Sequence, residues 1–478
     1  MEAATTVEGT SRAPDPPRAD RPFGPRFVAP MFLGSALNPI NSSVIATALV
    51  SIAAAMGVSV GQTSILISSL YLTSAIAQPT AGRLSEEFGP RRVFLTGIVI
   101  VLLGGIVGGL AQNLPTLVVA RVLIGLGTSA GYPSAMLLIR RRATAVGMES
   151  PPGSVLGGLA IAGAATVAIG PTVGGLLVGW FDWRAAFLIN VPVAVVAFFM
   201  ALRWIATDPD RVGGRSAREV AGRIDPAGVV GFGGAMTALL VFLLSLPDPD
   251  WIALGIAVVV AAGLVRWELR AANPFLDVRL LASNLALSRT YVRNGLTLLG
   301  TYVILYGLTQ WMEAAYGLSA YRAGLVLIPM GVLSAAAARV VSRRGDVRGP
   351  LVAAAVVMLA GAVAALFLTS HSPVIAIIAV TALFGLASGL SNVTNQTALY
   401  MAAPAEKVGT ASGLLRTFGY IGSIAASTIT GVAFRTHVDD TGLRYVSLIL
   451  IGIGALVLLM TVLDRQLAGA PKDRRTDA

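Results

Sequence analysis

The stretch that decides the fold lies between two long apolar segments. It reads Gly82-Arg83-Leu84-Ser85-Glu86-Glu87-Phe88-Gly89-Pro90-Arg91-Arg92 and connects the apolar segments 62–84 and 93–111. Each segment approaches the roughly 20 apolar residues that a helix needs to cross a bilayer. The stretch itself places glycine and arginine in a short polar turn. We therefore expect two membrane helices joined by a turn at the bilayer surface.

The composition of the whole chain agrees with this expectation. Of its 478 residues, 55% are hydrophobic and only 12% are charged, and the mean hydropathy is +0.77. A soluble globular protein carries about twice that share of charge, which excludes a water-soluble enzyme or a nucleic-acid-binding protein. Cysteine is absent and the two histidines, His371 and His437, lie far apart, so we expect no disulfide, metal or cofactor. The sequence predicts an all-α membrane protein.

Apolar segments recur along the chain, and we count about fourteen candidate membrane helices. Their approximate ranges are 27–49, 62–84, 93–111, 115–138, 154–179, 184–206, 224–246, 251–268, 285–312, 320–341, 350–369, 373–400, 408–434 and 444–464. A second turn with Gly and Arg, residues 339–349, follows the second segment of the last six, as 82–92 does in the first six. This repeat predicts two six-helix bundles with two inserted helices between them. The predicted divisions are a cytoplasmic tail 1–26, a first bundle 27–206, a loop 207–223, inserted helices 224–268, a connection 269–284, a second bundle 285–465 and a cytoplasmic tail 466–478.

The basic residues alternate from loop to loop. Both tails and the loops that hold Arg91, Arg140, Arg211, Arg270 and Arg343 carry most of them, whereas the other loops hold few. The positive-inside rule places the arginine-rich loops and both termini in the cytoplasm, as an even number of spans also requires. The net charge of +11 is therefore interpreted as a topology signal. The polar first 26 residues lack the apolar core of a signal peptide, so the first segment is predicted to be an uncleaved anchor.

Several motifs, taken in order, carry a resemblance to a known family. The first turn has a glycine, an acid, a second glycine and a basic pair in fixed spacing, at Gly82, Glu86, Gly89, Arg91 and Arg92. The fourth segment contains an arginine, Arg121, within 117–127, and the fifth contains Gly170, Pro171, Gly174 and Gly175 within 169–175. Residues 183–192, 225–228 and 273–277 resemble the regions around the sixth and the two extra helices of one branch. The chain thus resembles the major facilitator superfamily, and within it the fourteen-span drug:proton antiporter branch.

The resemblance implies a function and roles for these motifs. It implies a secondary transporter that exports a drug or metabolite by rocking two six-helix bundles about a central cavity, driven by proton entry. The first turn would be a cytoplasmic gate in which Glu86 pairs in one state with Arg91, with Arg92 or with a basic residue of another helix, although a turn that merely fixes topology remains an alternative. The glycines of 169–175 would allow close helix packing and bending.

Charged residues at membrane depth are costly and tend to face a cavity or a partner. Arg121 lies roughly 9 Å into its segment, and Arg416 is its counterpart in the second bundle, roughly 12 Å deep. The alternative for Arg121 is that it snorkels to the interface. For Arg289 and Arg293, near the end of the ninth segment, snorkelling is the expected behaviour.

Polar side chains inside the segments predict a substrate pocket. Its candidate residues are Asn38, Asn41, Gln78, Arg121, Gln310, Asn392, Asn395, Arg416 and Tyr420. The pairs Asn38/Asn41 and Asn392/Asn395 each share a helix face. For any single asparagine, a hydrogen bond between helices, worth about 0.6 kcal/mol, is an equally good explanation.

Asn41 occupies the place where the antiporter branch usually has an aspartate, and it cannot ionise. The candidates for proton coupling are therefore Glu313, or a group linked to Arg121. Because the pocket offers arginines and amides, it fits neutral or anionic amphiphiles better than organic cations. A proton-independent or importing carrier of a nutrient or organic anion remains an alternative. A membrane-embedded enzyme is disfavoured, since no nucleophile–base pair or metal cluster is visible in the segments.

The expected partners are a small-molecule substrate, membrane lipid and, as a coupling ion, the proton. One chain supplies both bundles, so a monomer is sufficient. The abundance of Ala, Gly and Arg, with lysine only at Lys407 and Lys472, is typical of a GC-rich bacterium, which predicts an inner-membrane location.

Overall fold

The computed structural model describes residues 22–148, 153–208, 219, 222, 224–246, 248–342, 346–403, 408–464 and 467. Most of the predicted tails 1–26 and 466–478 and of the loop 207–223 lies outside these residues. The helices of the first part of the chain are α1 (Pro25–Val44), α2 (Leu49–Met56), α3 (Ser64–Phe88), α4 (Pro90–Gly109), α5 (Leu114–Ser129), α6 (Gly131–Ala145), α7 (Gly153–Trp180), α8 (Ala185–Leu188), α9 (Asn190–Trp204), α10 (Pro226–Ser245) and α11 (Trp251–Glu268).

The second part of the chain is built in the same way. Its helices are α12 (Val278–Ser283), α13 (Leu285–Val303), α14 (Thr309–Ala314), α15 (Ala320–Val326), α16 (Ile328–Ser342), α17 (Arg348–Leu366), α18 (Val374–Ala402), α19 (Val408–Ala433) and α20 (Asp440–Leu463). A π-helical turn, Ile304–Leu308, connects α13 to α14. The described part of the chain contains no β-strand, so the all-α prediction is confirmed.

Many of these helices could cross a bilayer. Among the described residues, nine segments are long and apolar enough, and α1 with α2, which bend by 62° at their junction, add a tenth. The predicted segments 62–84, 154–179, 285–312 and 408–434 are also helical, as α3, α7, α13 and α19, but are not among these nine or ten. The count of fourteen therefore stays a prediction. Outward-facing side chains such as Phe199 (64% exposed) and Ile252 (77% exposed) form the apolar surface that lipid requires.

The helices pack in two groups. In the first, α1 packs on α7 and α4 packs on α5 and α9; in the second, α13 packs on α19, α16 on α18 and α17 on α20. The inserted helices α10 and α11 pack against each other, and α10 also contacts α3. The two groups meet where α3 contacts α19 and where α7 contacts α15 and α16. We refer to these groups as the first and second halves.

The two ends of the molecule differ. The arginine-rich end carries Arg91, Arg141, Arg203, Arg270 and Arg348, and the other is called the opposite end. Towards the opposite end the halves are in direct contact. The Ser68 and Ser427 hydroxyls are 2.5 Å apart, and Thr172 Oγ1 donates to the Gly324 carbonyl at 3.0 Å. These contacts join α3 to α19 and α7 to α15, so this end of the interface is closed.

Candidate functional site

The turn at residues 82–92, called the signature turn, is fixed by the end of α9 and by the residues directly after it. Asp208 accepts hydrogen bonds from the backbone N–H groups of Arg91 (3.3 Å) and Arg92 (2.9 Å), and therefore caps the N-terminus of α4. Gly89 has φ +94°, and a Cβ atom there would collide with the Asp208 side chain. Only glycine satisfies both conditions. The Arg91 guanidinium donates to the Leu202 carbonyl at 2.9 Å, a second contact with α9.

The acid of this turn has a different electrostatic neighbour from the expected one. Glu86 is exposed, and its negative charge interacts electrostatically with the Arg83 guanidinium. The described residues include no ion pair from Glu86 to Arg91 or Arg92. Arg83 donates to the carbonyls of Ile224 (3.0 Å), Asn273 (3.2 Å) and Pro274 (2.6 Å). These carbonyls flank the inserted helices α10 and α11. The turn therefore contacts the insertion through Arg83, a residue that sequence analysis did not single out.

Arg121 connects three helices of the first half. It is 1% exposed, and from α5 it donates through Nε to the Leu66 carbonyl of α3 (2.8 Å) and through one terminal nitrogen to the Asn41 carbonyl of α1 (3.0 Å). Its second terminal nitrogen is buried with no hydrogen-bond partner in the described chain. Arg121 does not snorkel; it holds the end of α1 and the start of α3 against α5.

The two asparagines of α1 are also bonded within the first half. Asn41 and Asn190 form a reciprocal amide pair, with Asn41 Nδ2 donating at 2.6 Å and Asn190 Nδ2 donating at 2.9 Å. Asn38 Nδ2 donates to the hydroxyls of Ser74 (2.9 Å) and Thr128 (3.0 Å). Both side chains are buried. Both asparagines therefore form hydrogen bonds between helices, which was the alternative to a role in lining a pocket.

A polar cluster connects the halves near the middle of the bundle. The Tyr420 hydroxyl of α19 donates to Gln78 Oε1 of α3 at 2.6 Å. The Arg416 guanidinium, one turn before Tyr420, lies 3.6 Å from the centroid of the Tyr132 ring of α6, which is a cation–π contact. Arg416 has no ion pair among the described residues, so a half-buried positive charge is held there by aromatic and hydroxyl groups.

Tyrosines extend this cluster towards the opposite end. The hydroxyls of Tyr71 and Tyr306 are 2.9 Å apart, and Tyr306 donates to the Ser42 carbonyl at 2.8 Å. The Tyr302 ring stacks on Tyr306, with centroids 5.6 Å apart, and Tyr71 contacts both Tyr302 (5.3 Å) and Tyr420 (5.8 Å). Only Tyr420 was predicted from the sequence. Together with Tyr132, these side chains are called the tyrosine cluster.

A small cavity of about 80 Å³ lies beside the tyrosine cluster. Its wall includes Pro171 of α7, Tyr302 of α13, Ser334 of α16 and Ser388 and Asn392 of α18. Asn392 donates to Ser388 Oγ at 3.3 Å. This cavity lies between the halves. Asn392 is the predicted pocket residue in its wall, and Pro171 of the antiporter-like motif also belongs to the wall.

Asn395 points away from that cavity to an ion pair. Its Oδ1 accepts from Arg293 Nε at 2.9 Å, and Arg293 lies 3.6 Å from Asp464. Arg293 is 1% exposed, so the prediction that it snorkels is wrong: the Asp464 carboxylate neutralises it inside the second half. Arg289, which is exposed, contacts the same carboxylate at 3.3 Å.

Gln310 and Glu313 lie one turn apart on α14, near the opposite end. Both polar atoms of the Gln310 amide, and one carboxylate oxygen of Glu313, are buried without a hydrogen-bond partner in the described chain. Leaving such atoms unpaired costs about 1–3 kcal/mol each. The same helix segment packs against α2, the turn Ile45–Thr47 and α15. A half-buried acid, with one buried carboxylate oxygen and the unsatisfied Gln310 amide beside it, thus occurs where the halves meet.

The antiporter-like glycines let α7 lie between the halves. A Cβ atom at Gly170 or Gly174 would collide with Ser43 or with the Val44 carbonyl of α1, and one at Gly175 would collide with the Ala320 carbonyl of α15. These collisions show that α7 approaches both neighbours at backbone distance. A side chain at any of these three positions would therefore push α7 away from α1 or α15.

The comparisons with known proteins agree with this architecture. The family model described as Major Facilitator Superfamily matches residues 31–427. The chain belongs to the Major Facilitator Superfamily. It is therefore a multi-pass membrane transporter, and members of this superfamily are transporters rather than enzymes.

Relatives within the Major Facilitator Superfamily come from several bacteria. The MFS-type transporter YwoD of Bacillus subtilis is 34% identical over 91% of this chain and 96% of its own length. The tetracenomycin C resistance and export protein of Streptomyces glaucescens is 28% identical over 90% of this chain and 79% of its own. The solved nucleoside transporter NupG has a similar fold, with a TM-score of 0.61 and 12% identity over 91% of this chain and 99% of that one.

Proposed function

We propose that this transporter exports a small organic molecule, a drug or a metabolite, from the cytoplasm of a bacterium in exchange for protons. In this proposal it lies in the inner membrane with fourteen spans and both termini in the cytoplasm. The molecule passes between the two halves, which alternately open at the arginine-rich end and at the opposite end. The names of relatives support export, since they include a tetracenomycin C resistance and export protein and a multidrug resistance protein, Stp.

The observation that carries the proposal is the central contact between the halves. Gln78 and Tyr132 come from the first half, and Arg416 and Tyr420 from the second. A molecule that entered here would touch both halves at once, so its binding energy could favour one arrangement of the halves over the other. Asn392 and the tyrosine cluster complete this proposed binding region. The other predicted pocket residues, Asn38, Asn41, Arg121 and Asn395, have positioning roles in the proposal, and Gln310 belongs to the proposed proton site.

The proposed substrate is neutral or anionic and contains an aromatic ring. Arg416 supplies a positive charge without a carboxylate partner in the described chain, and a substrate anion would neutralise it. Tyrosine rings provide flat surfaces for stacking, and their hydroxyls can orient polar groups. An organic cation would instead be repelled by Arg416.

The proposed proton site is Glu313 together with Gln310. The half-buried carboxyl group lies at the closed end of the interface, where a change in contact between the halves would alter its exposure and hence its affinity for a proton. A proton-independent carrier is the second candidate function. It is favoured by the Asn41–Asn190 amide pair, because this pair occupies the place where the first helix would otherwise offer an acid.

Efflux from energised cells that lack their main exporters tests the proposal. An anionic aromatic dye and a cationic one are compared in cells with wild type, Arg416→Gln, Glu313→Gln and the exposed control Arg322→Gln. We expect the anionic dye to leave faster, Arg416→Gln to slow it at least tenfold, and the control to match wild type. A protonophore should stop wild-type efflux, and Glu313→Gln should abolish the response to the proton gradient.

The outcomes separate the parts of the proposal. Preferential efflux of the cationic dye, unaffected by Arg416→Gln, would overturn the substrate class. Dye movement that is indifferent to the protonophore would overturn proton coupling and favour the second candidate function. No movement of either dye, although the protein is present in the membrane at wild-type level, would contradict the export of aromatic amphiphiles.

A further inference from the structure

A wide cleft opens at the arginine-rich end of the first half, away from the central site. It has a volume of about 1120 Å³, slightly above the roughly 300–1,000 Å³ typical of sites for drug-sized molecules. The start of α1, the end of α6 and the end of α9 form its walls. Four arginines line it, namely Arg26, Arg141, Arg142 and Arg203.

The charge of this cleft is not neutralised by its own residues. Asp208 is the one acid in the wall, and it is already engaged by the α4 N-terminus and by Arg141 at 3.4 Å. Arg142 Nε donates to the Pro22 carbonyl at 3.1 Å. Arg26 and Arg203 are exposed and, within the described residues, make neither an ion pair nor a side-chain hydrogen bond. Within the part of the chain that the structure describes, the cleft therefore presents two guanidinium groups without a partner.

The cleft is apolar on the side that continues onto the membrane face of α9. Phe27, Leu138 and Trp204 belong to its wall. On α9, Phe199 (64% exposed) lies one turn before Arg203, and Leu202 (40% exposed) directly precedes it. An apolar surface therefore leads directly to the arginines. Tryptophan and arginine at the end of a membrane helix mark the depth of the lipid head groups.

We propose that this cleft binds the phosphate-bearing head group of an anionic phospholipid, whose acyl chains lie along the outer face of α9. Guanidinium groups bind phosphate oxygens through paired, charge-assisted hydrogen bonds, and basic pockets between membrane helices bind such head groups. Arg26 and Arg203 bind the phosphate, and Trp204 contacts the glycerol region. Because Asp208 and Arg141 belong both to this cleft and to the contact that caps α4, the bound lipid lies beside the signature turn.

The test is native mass spectrometry of the purified full-length protein in detergent. The protein is titrated with dioleoyl-phosphatidylglycerol, with zwitterionic dioleoyl-phosphatidylcholine and with glycerol 3-phosphate, which has no acyl chain. Each basic residue near an anionic head group contributes on the order of 1 kcal/mol, so Arg26→Gln with Arg203→Gln should weaken phosphatidylglycerol binding roughly 25-fold. The control pair is Arg266→Gln with Arg270→Gln, two exposed arginines at the end of α11.

Wild type and the control pair should bind one phosphatidylglycerol tightly and phosphatidylcholine weakly. A variant whose only change is Arg203→Lys keeps the positive charge, and it should bind phosphatidylglycerol more tightly than the Arg26→Gln/Arg203→Gln variant. Equal binding of the two lipids, or equal loss in the control pair, would overturn the proposal. Equally tight binding of glycerol 3-phosphate would also overturn it, because the ligand would then be a soluble phosphate ester.

Discussion

The closed opposite end of the interface can be locked by a single covalent bond. Ser68 of α3 and Ser427 of α19 belong to different halves, and their Oγ atoms are 2.5 Å apart. In Ser68→Cys with Ser427→Cys, the two sulfur atoms would therefore face each other across the interface, close enough to reach the ~2.05 Å of a disulfide by small rotations of the two side chains. The chain contains no native cysteine, so no other thiol competes. We expect oxidation to crosslink the halves and abolish transport, and reduction to restore it.

A second pair provides the matched control. Ser85 and Ser134 have hydroxyls 2.9 Å apart, but both lie in the first half. In the chain-entropy model, the crosslink across 359 residues stabilises the fold by at most about 6 kcal/mol, and the one across 49 residues by at most about 4 kcal/mol. Both crosslinks should therefore raise the melting temperature, whereas only the bond between the halves should stop transport.

The assay combines labelling and dye efflux. Loss of two sites for a maleimide-linked polymer reports the crosslink, and efflux is measured on the same cells before and after reduction. Full transport by the crosslinked Ser68→Cys/Ser427→Cys protein would refute the idea that the halves separate at this end. Failure of the thiols to pair would mean that this contact is not populated in the membrane.

Three further variants probe positions where the fold depends on one residue. Gly89→Ala should lower stability by at least about 1–2 kcal/mol and reduce transport, because the new Cβ atom also meets Asp208. The control is Gly147→Ala, at φ +76° with nothing within 4 Å, which isolates the backbone cost in the same thermal unfolding assay. Equal losses of stability in the two variants would contradict the steric argument. Arg121→Met should destabilise the first half by about 1–3 kcal/mol, since two backbone carbonyls lose their donor; an unchanged melting temperature in detergent would assign Arg121 to transport alone. Asn190→Ala should cost about 1–3 kcal/mol by leaving the Asn41 amide half satisfied, and an unchanged unfolding temperature would show that the amide pair is dispensable.

The sequence predicted the architecture because membrane helices are specified locally. Long apolar segments, glycine-rich turns and alternating arginines are all visible within a few tens of residues. The packing role of Gly174 was predictable for the same reason, since a glycine between apolar residues in a membrane helix favours close approach.

The side-chain partners were less predictable because they are distant in sequence. Asn41 and Asn190 are 149 residues apart, and either could have lined a pocket until the fold placed them together. Arg293 was predicted to snorkel because its partner Asp464, directly after the last helix, is distant in sequence. The tyrosine cluster was missed because one tyrosine in an apolar segment resembles any other; only their convergence distinguishes them.

Arg83 has a consequence for the order in which the protein is made. Its acceptor carbonyls belong to Ile224, Asn273 and Pro274, the last of them 191 residues downstream. At roughly 5–20 residues per second, a ribosome needs about 10–40 s to add that length of chain. The helix that ends in the signature turn is thus inserted well before two of these acceptors exist. Arg83 gains its last acceptor only when synthesis of the second half is about to begin, so the contact between the signature turn and α10 and α11 forms late in synthesis.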